Sequence, residues 1–182
     1  MAARKIFFIA AVALYVLFLS SLCLAYGLKI GATAPFFKVS SGDGRMLTLE
    51  DIKGKATGIF YETTDVVEQN RELKGALSKY YDAQPEGIKK LIVRLAAINC
   101  SRVFLPLRGI WRSEFRKHSR IENITIYGDW SGKMFSEYNI EDAQSNVFLV
   151  DKKGIVRYYS AGKIEGKEID KVVSLFKKLV EE

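Results

Sequence analysis

The sequence predicts an α/β fold in which a central mixed sheet is flanked by helices on both faces, giving three layers. Two apolar runs without alternation, 56–61 and 91–99, are typical of strands covered on both faces. A helical periodicity lies between them, so the two strands should be parallel and joined by a right-handed crossover. Near the end of the chain, a hairpin pattern precedes a strongly amphipathic helix over 167–180.

The segment before the first long strand predicts two short extended pieces around the turn 42–44. Thr48 stands three residues before Asp51, which favours a capped helical turn that ends at Gly54. The run Ala56 to Tyr61 should then be a central strand, because it is apolar on both faces.

The next helix is predicted to begin near Val66. Thr64 or Asp65 can accept hydrogen bonds from its free N–H groups, and Glu68 stands in capping-box position relative to Asp65. The apolar residues that would form its buried stripe are Leu73, Ala76, Leu77 and Tyr80.

The second half of the chain predicts one more helix, a short strand and a hairpin before the terminal helix. Their predicted ranges are a helix over 110–120, a strand over 123–127, and hairpin strands over 147–150 and 155–159. No internal repeat or second domain boundary is visible, so residues 26–182 should form a single domain.

The N-terminal segment has the pattern of a secretory signal. Arg4 and Lys5 precede an apolar run, and the segment that follows carries the small residues Ser20, Ser21, Cys23 and Ala25, which favours cleavage after Ala25. The alternative is an uncleaved anchor, because residues 6–25 match the roughly 20 residues that span a bilayer. The expected location is the periplasm or an equivalent exported compartment, with membrane anchoring through residues 6–25 if the signal stays attached.

Removal of the signal leaves Cys100 as a lone thiol in an oxidising compartment. A single cysteine forms no internal disulfide. Cys100 follows the apolar run 91–99, which favours inert burial; the alternative is a reactive thiol.

The net charge is +7, and without Arg4 and Lys5 the 26 basic residues exceed the 21 acidic ones by five. This net charge favours binding to anionic surfaces but is too small to require a nucleic-acid partner. Nucleic-acid binding also conflicts with export. Four arginines recur at every fourth position and should form one line on a helix, the arginine ridge: Arg108, Arg112, Arg116 and Arg120. Like charges at this spacing repel one another. One interpretation is that the ridge is a solvated face whose charge repulsion is offset by acidic residues elsewhere in the fold. The other is that it binds an envelope protein or an anionic membrane.

The motif G-A-T-A-P-F-F at 31–37, followed by Asp43-Gly44 and L-T-L-E-D-I-K-G-K, resembles the start of thioredoxin-fold proteins of the peroxiredoxin and TlpA-like branch. Redox-active members carry W-C-x-x-C after the first long strand, where this chain has T-D-V-V-E at 64–68. They place a cis-proline before the penultimate hairpin, where this chain has Ser145 and Asn146. Dithiol exchange needs a thiolate and a second sulfur, and the carboxylates of Asp65 and Glu68 supply neither.

The chain is also similar to the small exported YtfJ-type proteins, a thioredoxin-like group without the dithiol motif. The residues that carry this resemblance are Glu68, Asn70, Leu73, Asn99, Asp151, Gly154, Val156 and Arg157. The resemblance implies an exported protein of unassigned role and implies no catalytic residues.

The candidate binding residues are therefore the polar group at the predicted helix start, Thr63, Thr64, Asp65 and Glu68, together with the arginine ridge. The alternative role of the polar group is helix capping. No metal or cofactor is expected, because the single histidine, His118, has no Cys/His cluster around it in the sequence. The expected function is a redox-inactive thioredoxin-like binding or structural module; the alternative is a single-cysteine thiol peroxidase or reductase using Cys100.

Overall fold

A computed structural model describes residues 28–182 of the chain, so the predicted signal segment lies outside the described residues. The strands are β1 (Lys38–Ser41), β2 (Met46–Thr48), β3 (Ala56–Glu62), β4 (Ile92–Asn99), β5 (Ile126–Asp129), β6 (Asn146–Val150) and β7 (Val156–Ala161). The helices are α1 (Leu49–Ile52), α2 (Arg71–Asp82), α3 (Glu86–Lys89), α4 (Arg108–Ile121), α5 (Lys133–Glu137) and α6 (Lys167–Glu181). Single 3₁₀ turns at Thr64–Val66 and Leu105–Leu107 precede α2 and α4.

The strands form one mixed sheet in the order β2-β1-β5-β4-β3-β6-β7. β3 pairs in parallel with β4 and antiparallel with β6, and all seven of its residues are buried, as its unbroken apolar run predicts. Helices α2, α4 and α6 cover one face, and α1 and α5 cover the other. The predicted three-layer α/β fold with a central mixed sheet is confirmed.

Several elements lie where the local patterns placed them. Thr48 and Asp51 form the predicted capping box at α1, with Thr48 N donating to Asp51 Oδ2 over 2.8 Å. The terminal hairpin β6–β7 and the amphipathic α6 are also present. In the described part of the chain, no helix is both long enough and apolar enough to cross a bilayer.

Two predicted boundaries are wrong. The α2 helix begins at Arg71 rather than near Val66, since tertiary hydrogen bonds hold the intervening residues in turns. Strand β5 covers Ile126–Asp129 rather than 123–127. Asn123 has a left-handed backbone (φ 48°), and Ser119 Oγ accepts a hydrogen bond from Ile126 N, so the chain is still leaving α4 at that point.

The carboxyl ends of β3, β4 and β5 lie at one edge of the sheet, because these strands run in parallel. The start of β6 and the end of β7 reach the same edge, where Asn146 pairs with both Tyr61 and Ala161. The W-C-x-x-C and cis-proline segments of the resembling family would meet here.

Candidate functional site

A buried ionic group occupies this edge of the sheet. Glu62, the last residue of β3, is only 3% exposed. Lys74 Nζ donates to Glu62 Oε2 over 2.6 Å, and Ser145 Oγ donates to Glu62 Oε1 over 2.6 Å. Lys74 Nζ also donates to Val67 O over 2.6 Å. Both carboxylate oxygens are therefore satisfied, one by a cation and one by a hydroxyl.

Two amide side chains extend this group. Gln69 Oε1 accepts a hydrogen bond from Ser145 N over 2.7 Å. Asn70 Nδ2 donates to Gly162 O, and Asn70 Oδ1 accepts from Ile164 N, both over 2.8 Å. The turn before α2 is thus tied to the start of β6 and to the segment after β7. We call Glu62, Gln69, Asn70, Lys74 and Ser145 the edge network.

Burial raises the pKa of Glu62 above its ordinary value, while the Lys74 ammonium and the Ser145 hydroxyl act in the opposite direction. Ser145 is fully buried, so its hydroxyl is closed to a substrate. The arrangement is suited to holding segments together. The ammonium group of Lys74, whose side chain is 29% exposed, is held by Glu62 and by Val67 O.

The predicted polar group before α2 is dispersed. Thr63 is half-buried and Thr64 and Asp65 are exposed, with one long contact of 3.4 Å between the last two side chains. Glu68 is exposed and pairs with Arg71 over 2.6 Å, a surface pair worth roughly 0–1 kcal/mol. The capping prediction is wrong for α2, because its N-cap residue is Asn70.

Sequence patterns did not identify Glu62, Lys74 and Ser145. The available signal was Glu62 itself, a carboxylate that ends an unbroken apolar strand. A charge in such a position requires a partner. Its partners lie 12 and 83 residues away along the chain, so no local motif contains them.

Cys100 is fully buried just after β4, and its N–H donates to Asp129 O over 3.0 Å. Burial raises the pKa of the Cys100 thiol to about 12; the Asp129 carboxylate adds to this rise and Arg108 opposes it. A thiolate is the reactive form of cysteine. In this environment, almost none of the Cys100 side chain is in the thiolate form at neutral pH.

The neighbouring Asp129 organises the end of β5. Its Oδ1 accepts from Ser131 Oγ and Gly132 N, both over 2.9 Å. Its Oδ2 accepts from the Tyr61 hydroxyl over 3.1 Å and from Phe135 N over 3.2 Å. With every acceptor position occupied from within the fold, this buried carboxylate has a positioning role in the turn that leads into α5.

The arginine ridge lies wholly on α4, and its two halves have different surroundings. The guanidinium carbons of Arg108 and Arg112 lie 5.3 and 5.6 Å from the ring centre of Trp130. In the other half, Arg116 Nη1 donates to Gly42 O over 2.8 Å, and Arg120 Nε donates to Arg116 O over 3.2 Å. The hydrogen bonds of this second half run to backbone carbonyls and leave its charge unneutralised.

The arginine ridge forms no ion pair within residues 28–182. The ion pairs found there include none of its four arginines. Glu114, the one carboxylate on α4, lies 3.6 Å from both Lys117 and His118 instead. The first turn of α4 and the residues just before it expose four large apolar side chains: Phe104, Leu105, Leu107 and Ile110.

Over the described range, no group of three or more His, Cys, Asp or Glu side chains is placed to hold a metal ion.

No protein-family profile matches the chain. No curated protein matches it either. Solved structures do match. A protein described as the thiol:disulfide interchange protein DsbE of Chlorobium tepidum aligns with a TM-score of 0.64 at 15% identity, over 85% of this chain and 99% of that chain.

Two further structures are similar. The thioredoxin domain of a thiol-disulfide oxidoreductase of Bacteroides vulgatus aligns with a TM-score of 0.57 at 18% identity, over 82% of this chain and 99% of that chain. An exposed lipoprotein thioredoxin of Streptococcus pneumoniae aligns with a TM-score of 0.55 at 18% identity, over 78% of this chain and 99% of that chain. The chain therefore has a thioredoxin-like fold.

Proposed function

We propose that this chain is an exported, redox-inactive thioredoxin-like binding module of the YtfJ type. The edge network is the observation that carries the proposal. It joins the residues on either side of 64–68 to Ser145, and its members are a carboxylate, an ammonium, a hydroxyl and two amides. None of these groups exchanges a disulfide.

The lone thiol supports the same proposal. Dithiol exchange and peroxide reduction both require an accessible thiolate, and Cys100 is buried with a raised pKa. The only other cysteine in the sequence, Cys23, belongs to the proposed signal. No second thiol remains in the proposed mature chain to resolve a mixed disulfide.

The test is an activity assay on the purified mature protein. We expect neither reduction of insulin disulfides nor consumption of hydrogen peroxide above the buffer blank, and the Cys100→Ser variant should behave identically. A dithiol thioredoxin run in parallel shows that the assay responds. Activity that Cys100→Ser abolishes would overturn the proposal and favour the single-cysteine peroxidase or reductase.

For the binding surface, we propose that the arginine ridge and the exposed apolar segment 104–110 contact an anionic membrane surface. Four arginines without ion-pair partners, with exposed apolar side chains at the N-terminal end of α4, are residue types that bind at a lipid interface. Each basic residue near an anionic membrane contributes about 1 kcal/mol of binding energy, and the contribution weakens with salt.

This surface can be tested with phospholipid vesicles. The wild type should bind vesicles containing phosphatidylglycerol and release them at high salt, and Arg112→Glu/Arg116→Glu should weaken binding about tenfold or more. The matched control is Lys117→Glu/Lys153→Glu, which makes the same charge change at two exposed side chains off the ridge. Equal binding by the wild type and the ridge variant would exclude the membrane assignment and leave an acidic protein face as the partner.

A further inference from the structure

A cavity of about 410 Å³ lies between the β1–β2 turn and α4. Three guanidinium groups and three hydroxyl groups line it: Arg45, Arg116, Arg120, Ser41, Ser119 and Thr125. The second half of the arginine ridge therefore borders a cavity that is open to solvent, which the spacing of the arginines alone did not predict. The volume lies within the usual range of about 300–1,000 Å³ for small-ligand sites.

The walls of the cavity are held in place. Gly42 lies so close to α4 that a Cβ atom there would be 2.5 Å from Arg112 O and 2.8 Å from Arg116 Cγ. Arg116 Nη1 is anchored on Gly42 O over 2.8 Å. The turn is closed by Ser41 N donating to Arg45 O over 2.9 Å and by Arg45 N donating to Ser41 Oγ over 3.0 Å.

The lining is rich in donors. The Oγ atoms of Ser41 and Ser119 each accept a backbone N–H, from Arg45 and Ile126, and each hydroxyl keeps a proton that it can donate. Asp43 is the one carboxylate of the lining, and it lies 3.8 Å from Arg45 with both side chains largely exposed. Three arginines against this single aspartate leave the cavity with a net positive charge.

We propose that this cavity binds a phosphate group, carried by a soluble phosphomonoester or by a lipid headgroup. Guanidinium groups bind phosphate oxygens through paired charge-assisted hydrogen bonds, and hydroxyl donors complete the shell of a tetrahedral anion. The proposal deepens the membrane-binding part of the proposed function, because it assigns a ligand chemistry to Arg116 and Arg120.

The first experiment uses glycerol 3-phosphate as the probe, titrated into the ¹⁵N-labelled mature protein at constant ionic strength with sodium chloride as the reference salt. Saturable chemical-shift changes are expected at the amides of Gly42, Arg45, Ser119 and Thr125. Arg45→Gln and Arg120→Gln should each raise the dissociation constant about tenfold or more. Lys117→Gln, on the same helix and outside the lining, should leave it unchanged.

The second arm distinguishes the two sources of phosphate. If the cavity takes lipid headgroups, glycerol 3-phosphate should displace the protein from phosphatidylglycerol vesicles, and Arg45→Gln should weaken vesicle binding. If it takes a soluble ester, the titration should saturate with no effect on vesicle binding. Both outcomes support a phosphate site.

The proposal is overturned if neither probe gives saturable changes at the cavity amides, or if Lys117→Gln weakens binding as much as Arg120→Gln. Such a failure is separate from that of the membrane assignment: vesicle binding that falls with Arg112→Glu/Arg116→Glu, but not with Arg45→Gln or added glycerol 3-phosphate, would keep the membrane surface and exclude the phosphate site.

Discussion

Lys74→Met is expected to lower the free energy of unfolding by about 3 kcal/mol, the lower end of the range for breaking a buried ion pair. The substitution keeps most of the side-chain volume and removes the ammonium that satisfies Glu62 Oε2. Glu62 is 3% exposed, so its carboxylate would stay buried without a counter-charge; Lys74 is 29% exposed, which moderates the loss. Urea unfolding followed by circular dichroism measures the change.

The loss should depend on pH in a defined direction. Burial already raises the pKa of Glu62, and removal of Lys74 removes an interaction that lowers it. A carboxyl whose folded-state pKa is raised stabilises the fold below its unfolded pKa, and that contribution is lost as the pH rises through the folded pKa. The defect of Lys74→Met should therefore be smaller at pH 5 than at pH 8.

A double variant provides the control. Glu62→Gln/Lys74→Met removes both charges and keeps an acceptor for the Ser145 hydroxyl. It should recover at least half of the lost stability, because the unpaired buried charge is the main cost. If the single and double variants are equally unstable at every pH, the ion pair is not what stabilises this edge.

Asp151→Asn is expected to destabilise the fold by about 2–3 kcal/mol at pH 7, since charge-assisted hydrogen bonds and their unpaired donors carry energies of this size. Asp151 Oδ1 accepts from Lys153 N and Ile155 N, both over 2.8 Å, and Oδ2 accepts from Arg157 Nε and Nη2, both over 2.7 Å. An asparagine could still accept the two backbone bonds. Its amide NH₂ would face the guanidinium donors.

Lowering the pH should remove the difference in unfolding free energy between the wild type and Asp151→Asn. Burial raises the pKa of Asp151, but the bonds from Ile155, Arg157 and Lys153 outweigh it and hold the pKa below the ordinary value. A carboxyl with a lowered folded-state pKa stabilises the fold above its unfolded pKa, about 3.9, and this contribution is lost as the pH falls through the folded pKa.

The unfolding free energies of the wild type and Asp151→Asn should therefore converge as the pH drops from 7 toward 2. Asp82→Asn, at an exposed position at the end of α2, should show neither the loss nor the convergence. A constant gap between the wild type and Asp151→Asn across this pH range would contradict the assignment.

Local patterns predicted most of the fold because the spacing of apolar residues along a strand or helix reflects which of its faces are buried. The apolar run of β3, the turn at Asp151 and the apolar stripe of α6 are each formed by residues that are close together in the sequence. The start of α2 was predicted wrongly because the hydrogen bonds that compete with helix formation involve residues far away in the sequence. Asn70 bonds to Gly162 and Ile164 and thereby keeps the preceding residues out of the helix.

The candidate binding surface was predicted only in part. Arginines at every fourth position of a helix must share a face, so the ridge followed from spacing alone. The cavity depends on Gly42, 74 residues before Arg116, and on the turn that brings Arg45 to the same place. No periodicity within α4 contains that information.

The sequence separation of the contacts around the edge network also determines when they can form during synthesis of the chain. Ser145 lies 83 residues after Glu62, and Ile164 lies 94 residues after Asn70. A chain made from its N-terminus onward therefore lacks the Ser145 partner of Glu62 until the last third of the domain is synthesised, and contacts of such long range form late. The edge network is therefore completed only late in synthesis, and a product truncated before Ser145 would leave Glu62 Oε1 without its hydroxyl donor.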